Sequence, residues 1–265
     1  MKPIVLVCKD HDWVFFQDYF TSVASYLPIE KRMTVFQPSL DYLFLFVLSI
    51  PAEVLEQRNV SFFYLNTEQL TKEKWRIQVK SYLDANIHVI DYDEAQSQMF
   101  DSTYHHYLPV LPVPMEHFIS PIKRFDVGIC AIRASRRRYN MFHALRQQNI
   151  QVIDINQWGD ERDATIGQCR ILLNIHYDED YQVFEHLRCD RWLFSGHCIV
   201  SETSQSDDTM DLSPLVYFTS YEKMVDTVLE VLQGKEKHQT FDIDAISKLR
   251  KHHAEKTMQQ IKNIQ

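Results

Sequence analysis

Phe184-Glu185-His186-Leu187-Arg188-Cys189-Asp190-Arg191-Trp192-Leu193-Phe194-Ser195-Gly196-His197-Cys198-Ile199-Val200-Ser201-Glu202 is the stretch on which the fold turns. A polar residue opens a helix over 184–194, Gly196 ends it, and a β-branched strand over 198–201 follows. A glycine just past a periodic segment is a helix stop, because it accepts the left-handed conformation without strain. A helix feeding a short apolar strand is half of a βαβ unit. Reading outward, strands are expected over 125–132, 152–155 and 169–175, with a helix over 136–148. Downstream come Tyr217-Phe218, a helix over 221–233 and a polar helix over 244–261.

The first half repeats the alternation. Ile4-Val5-Leu6-Val7-Cys8 suits a central parallel strand, and Trp13, Phe16, Phe20, Val23 and Leu27 recur at helical spacing. Ser61-Phe62-Phe63-Tyr64-Leu65 is a strand, 74–86 a helix and 87–90 a strand. The apolar run over 42–50 reads as a buried strand or core helix, being far shorter than the roughly 20 residues a membrane span needs. Pro109, Pro112, Pro114 and Pro121 mark a connector, since proline cannot donate to a ladder. The expected domains are therefore 1–115 on the acceptor side, 116–240 for the donor, and a helix within 241–265 free to pack back on the first.

Bulk properties bound the function more loosely. The 265 residues are 45% apolar and 24% charged, enough for two ordinary α/β domains. A net charge of −8 argues against a general nucleic-acid binder. The five cysteines Cys8, Cys130, Cys169, Cys189 and Cys198 form no C-x-x-C pair and sit mostly in apolar runs. They fit a reducing, cytoplasmic compartment better than a disulfide framework, which leaves the sequon Asn59-Val60-Ser61 unused. The amino terminus runs straight into a strand pattern with no cleavage region, so no targeting segment is expected. Only five glycines are present and no G-x-G-x-x-G follows a strand, which disfavours a dehydrogenase.

The segment 125–232 resembles the donor-binding half of GT-B glycosyltransferases. The opening stretch looks like their helix–glycine–strand signature, and Arg188, eight residues before Gly196, is placed like the arginine of exostosin-like transferases. Asp126-Val127-Gly128 through Ser135-Arg136-Arg137-Arg138 resembles the first strand and loop of that domain. Trp158-Gly159 and Leu172-Leu173-Asn174-Ile175-His176-Tyr177 are similar to the same group. In the first half the likeness rests on 63–69 and on Tyr107-Leu108-Pro109. Small transferases of large DNA viruses and bacteria have this look. The resemblance implies an α/β chain of two Rossmann-like, doubly wound domains facing a cleft. It also implies transfer of a sugar from a UDP- or GDP-sugar to a hydroxyl of a glycan or glycoconjugate. Many retaining members carry a glutamate five residues before the glycine; Arg191 stands there, which implies inversion.

Charge grows on the diphosphate leaving group, and something must neutralise it. A metal-free site does this with guanidinium groups and a helix amino terminus. Arg136, Arg137 and Arg138 open one expected helix and Arg188 and Arg191 lie on another, so no metal and no cofactor is expected. Ser135, Trp158, Gly159, Asn174, His176, Tyr177, Glu185 and Glu202 complete the expected donor site. An aromatic there could stack on the base, and Glu185 could accept from the ribose or orient Arg188. The triplets Asp10-His11-Asp12, Asp91-Tyr92-Asp93, Asp178-Glu179-Asp180 and Asp242-Ile243-Asp244 are too many in one acidic chain to single out a metal site. Adjacent histidines such as His105-His106 do not share a helix face, so they are poor zinc ligands. For the base that removes the acceptor proton the candidates are Asp12 and His11, in the loop after the first strand, and Glu68. The alternative readings are an epimerase or other nucleotide-sugar enzyme of the same shape, from which slow release of free nucleotide without acceptor would tell a transferase, and a non-catalytic nucleotide- or sugar-binding module, which would bind without turnover.

Overall fold

The computed structural model describes residues 2–57, 60–111, 120–131, 135–204, 212, 215–234 and 243–263. Pro112, Pro114, Asn59, Ile132 and Asp242 lie outside them. The chain divides into two units, Met1–Pro112 with Asp244–Gln265, and Val113–Ile243.

The first unit holds β1 (Ile4–Val7), α1 (Asp10–Ala24), β2 (Ile29–Met33), β3 (Leu43–Val47), α2 (Ala52–Leu55), β4 (Ser61–Leu65), α3 (Glu73–Asp84), β5 (His88–Asp91), α4 (Glu94–Ser97) and β6 (His105–Tyr107). Its sheet runs β2-β1-β3-β4-β5-β6, parallel throughout. All five residues of β3 are buried, as a central strand covered on both faces requires. Two strands were not expected from sequence. Residues 29–33 read Ile-Glu-Lys-Arg-Met and 105–107 read His-His-Tyr; these are the two edges of the sheet, where polar side chains are tolerated.

The second unit holds β7 (Phe125–Ile129), α5 (Arg136–Gln147), β8 (Val152–Asp154), α6 (Gly159–Ile166), β9 (Cys169–Asn174), α7 (His186–Phe194), β10 (Cys198–Glu202), β11 (Val216–Thr219) and α8 (Met224–Leu232). Its parallel sheet runs β11-β10-β9-β7-β8. Strand alternation divides its core in two. Ile171 and Leu173 pack with Met141, Leu145 and Val228 on one face; Leu172 packs with Phe184, Trp192 and Leu193 on the other. Helices thus cover both faces, and each unit is Rossmann-like.

The glycine stop holds. Gly196 has φ +83°, and the His197 N–H returns to the Trp192 carbonyl at 3.1 Å, closing α7. α7 begins at His186, two residues later than expected, because Phe184 is buried in the core and Glu185 takes a non-helical conformation at the cap. Asp10-His11-Asp12 is a correction: these residues form the first turn of α1 and not a loop, with Lys9 at the cap. Acidic side chains favour a helix amino terminus, where the dipole is positive.

The last helix, α9 (Ile243–Asn263), belongs to the first unit. Arg250, Ala254, Thr257, Met258 and Ile261 are buried, a stripe at helical spacing. Arg250 Nη1 donates to the Val110 carbonyl at 2.9 Å and Thr257 Oγ1 to the Tyr107 carbonyl at 2.6 Å.

Candidate functional site

In the second sheet the strand order reverses between β7 and β9: β8 lies outward of β7, and β10 and β11 lie outward of β9. Ligands of such sheets bind past the carboxyl ends of the strands at this switch point. The residues that follow β7 and β9, with the amino-terminal turns of α5 and α7, therefore form the candidate site.

They bring most of the expected donor residues together. Ser135 caps α5, and its Oγ donates to the Tyr177 carbonyl, tying the start of α5 to the segment after β9. Arg138 is 5% exposed; its Nε donates to the Ile175 carbonyl at 2.9 Å, and its guanidinium lies 5.5 Å from the Tyr177 ring centre. Arg137 pairs with Glu202 at the end of β10, comes within 3.7 Å of Glu179, and stacks 4.2 Å over the ring of Tyr221. The Tyr221 hydroxyl donates to the Arg137 carbonyl at 2.8 Å. Arg188 on α7 pairs with Glu185 at 3.0 Å and donates from Nη1 to the Cys130 carbonyl just past β7, at 3.3 Å. That last bond crosses the switch point itself.

Three guanidinium groups thus gather at one sheet end, with Glu185 and Glu202 half-buried among them and the exposed Glu179 at the rim. Burial and their mutual fields shift the proton affinities of these groups. Burial, reinforced by the charge of Arg188, lowers Arg138 to about 10. Burial pushes Glu185 up, but Arg188 and then Arg138 outweigh it and hold the carboxyl below its usual range. Glu202 goes the other way: burial raises it in spite of Arg137. Burial also lifts the Cys130 thiol to about 11 against Arg188 and Arg162, so it is no thiolate at neutral pH.

Other expected residues stand apart from this cluster. Arg136 is exposed. Arg191 pairs with Asp163 of α6 at 2.7 Å, alongside the Arg162–Asp163 pair at 2.8 Å, and so ties α7 to α6. Trp158, 44% exposed, caps α6, and Gly159 opens that helix with φ +57°. Asp12, His11 and Glu68 belong to the first unit. Asp12 is 7% exposed with its Oδ1 2.6 Å from Nε2 of the exposed His11. Glu68 follows β4; its N–H donates to Asn66 Oδ1 at 3.2 Å and its carbonyl accepts from Asn66 Nδ2 at 2.9 Å. Asn66 in turn donates to the buried Asp91 at 2.8 Å, with Gln96 donating at 3.0 Å and His105 lying 3.4 Å away.

Sequence reading missed Tyr221, Glu179 and the Cys130 and Ile175 carbonyls. Backbone acceptors leave no mark in a sequence, and Tyr221 lies 84 residues from its partner. Among the described residues no three His, Cys, Asp or Glu side chains gather as a metal site, and no helix is long and apolar enough to cross a membrane.

Two parallel, doubly wound units define the GT-B class of fold. The solved structure of TarM matches with a TM-score of 0.53 at 9% identity, over 85% of this chain and 52% of TarM. At that identity the likeness is one of fold. The chain belongs to the same family as uncharacterized protein L140 of Acanthamoeba polyphaga mimivirus: the two are 31% identical over 245 residues, 86% of this chain and 80% of L140. Uncharacterized protein L138 of the same virus is 28% identical over 284 residues, 97% of this chain, and the chain spans 32% of its length. No family's sequence profile matches the chain.

Proposed function

We propose that the chain is a glycosyltransferase that moves a sugar from a nucleoside-diphosphate donor, UDP- or GDP-linked, to a hydroxyl of a glycan, without a metal and with inversion. One observation carries the reading: Arg137, Arg138 and Arg188 converge at the switch point of the second sheet, beside the amino-terminal turns of α5 and α7. A diphosphate bound there meets planar two-pronged donors and the positive ends of two helices. As the glycosidic bond breaks, the growing charge on the leaving oxygen meets groups already in place, which is how a preorganised site favours a transition state. Arg191 in place of a glutamate on α7 favours inversion. Asp12, His11 and Glu68 of the first unit are the candidates to take the acceptor's proton.

A melting-temperature screen against UDP- and GDP-sugars tests this reading. At least one should stabilise the protein, because a ligand that binds only the fold shifts unfolding by mass action. A flat response to every nucleotide and nucleotide-sugar would remove it.

A further inference from the structure

His176 stands two residues past the end of β9, and strand alternation places it on the face of Asn174, toward the start of α7. It is 4% exposed. Its backbone N–H donates to Glu202 Oε2 at 3.1 Å, and its Nδ1 lies 4.0 Å from the same oxygen. The other ring nitrogen, Nε2, has no hydrogen-bond partner among the described residues. Neither has Oδ1 of Asn174, whose Nδ2 donates to Ser201 Oγ at 3.0 Å. Buried polar atoms are ordinarily satisfied, so two unpartnered atoms on one face at a switch point point to a ligand.

The surroundings fix which kind. Burial, opposed by Glu185 and aided by Arg137, Arg188 and Arg138, brings the ring down to about 4, so it is neutral at pH 7. A neutral imidazole carries one proton. The Glu202 carboxylate favours that proton on Nδ1, and three guanidinium groups disfavour a further N–H among them. Nε2 is then an acceptor. Phosphate oxygens are acceptors as well and cannot satisfy it; a hydroxyl can.

We propose that His176 reads a hydroxyl of the bound nucleotide-sugar: Nε2 accepts from a hydroxyl lying beside the phosphates that the arginines hold. The inference rests on the donor-site reading above. The hydroxyl belongs to the ribose or to the transferred sugar, and the test separates the two.

Wild type, His176→Asn and His176→Gln are titrated by calorimetry with inorganic pyrophosphate, UDP, GDP, UDP-glucose and GDP-mannose. Asparagine's amide stops near the Nδ1 position, whereas glutamine's reaches that of Nε2. His176→Asn should weaken the nucleotide-sugar that wild type binds about tenfold, the loss of one buried hydrogen bond. His176→Gln should recover most of it, and pyrophosphate should bind all three alike. Weakening of the free nucleoside diphosphate by the same factor assigns the hydroxyl to the ribose; weakening of the conjugate alone assigns it to the sugar. Unchanged affinity of His176→Asn for the conjugate, or an equal loss for pyrophosphate, overturns the inference. Wild type alone gives a second check should the asparagine variant not fold. Its affinity for the conjugate should stay flat from pH 6 to 8.5; tightening as the pH falls would make the ring a cation and overturn the assignment. Wild type that binds none of the five probes refutes the donor site itself, and the inference with it.

Discussion

Arg188 is where sequence, geometry and chemistry meet in one residue. It is bound on one side to Glu185 and on the other to the Cys130 carbonyl, so its guanidinium is oriented at the switch point before any ligand arrives. Its bonds to a diphosphate should strengthen as the leaving group gains charge. Arg188→Ala should therefore lower kcat/KM at least about a hundredfold, roughly 2.7 kcal/mol of transition-state stabilisation. Arg188→Lys should recover only part, because lysine keeps the charge without the planar fork. If Arg188 and Glu185 merely steady the helix, the alanine variant will lose melting temperature and keep its kinetics, so both are measured on the same protein. Its distance to Gly196 singled Arg188 out in the sequence, and the structure places it against the Cys130 carbonyl just past β7. Arg191 carried the same signal three residues on, yet pairs with Asp163. A sequence gives the charge of two neighbouring arginines but not which face of the helix lies over α6. The partners of Arg137 were less legible still, since Glu202 lies 65 residues away.

At the scale of elements, close packing sets what the second sheet tolerates. Gly128, in β7 at the centre of the switch, has no room for a side chain: a Cβ there would meet Cys169 Sγ at 2.7 Å, Ile155 Cδ1 at 3.0 Å and Leu172 Cδ2 at 3.1 Å. Gly128→Ala should destabilise the protein by about 1–3 kcal/mol through overpacking, seen as a lower denaturant midpoint with an unchanged slope. An unchanged midpoint would mean that the layer beneath β7 yields freely. Central strands such as β1 and β4 were legible from their apolar runs, but β3, buried at all five residues, was not told from a core helix, because a run apolar throughout shows neither period. The edge strands β2 and β6 were not legible, since one of their sides needs no apolar partner. Helix ends were legible where glycine marks them. α3 and α5 end instead in left-handed asparagines, Asn86 at φ 57° and Asn149 at φ 61°, a weaker signal in sequence.

At the scale of the whole molecule, a GT-B fold carries a cluster of guanidinium groups that would do the work of a metal at a diphosphate. Arginine suits that role because its charge persists near neutral pH, even for Arg138, which burial brings down to about 10. The measurement that tests this most directly is release of nucleoside diphosphate from a nucleotide-sugar by wild type in the absence of acceptor, with and without EDTA. Wild type should release the diphosphate slowly and at the same rate in EDTA, and Arg188→Ala should lose that release. Release abolished by EDTA and restored by Mn²⁺, or release unchanged in Arg188→Ala, would contradict that role of the arginines.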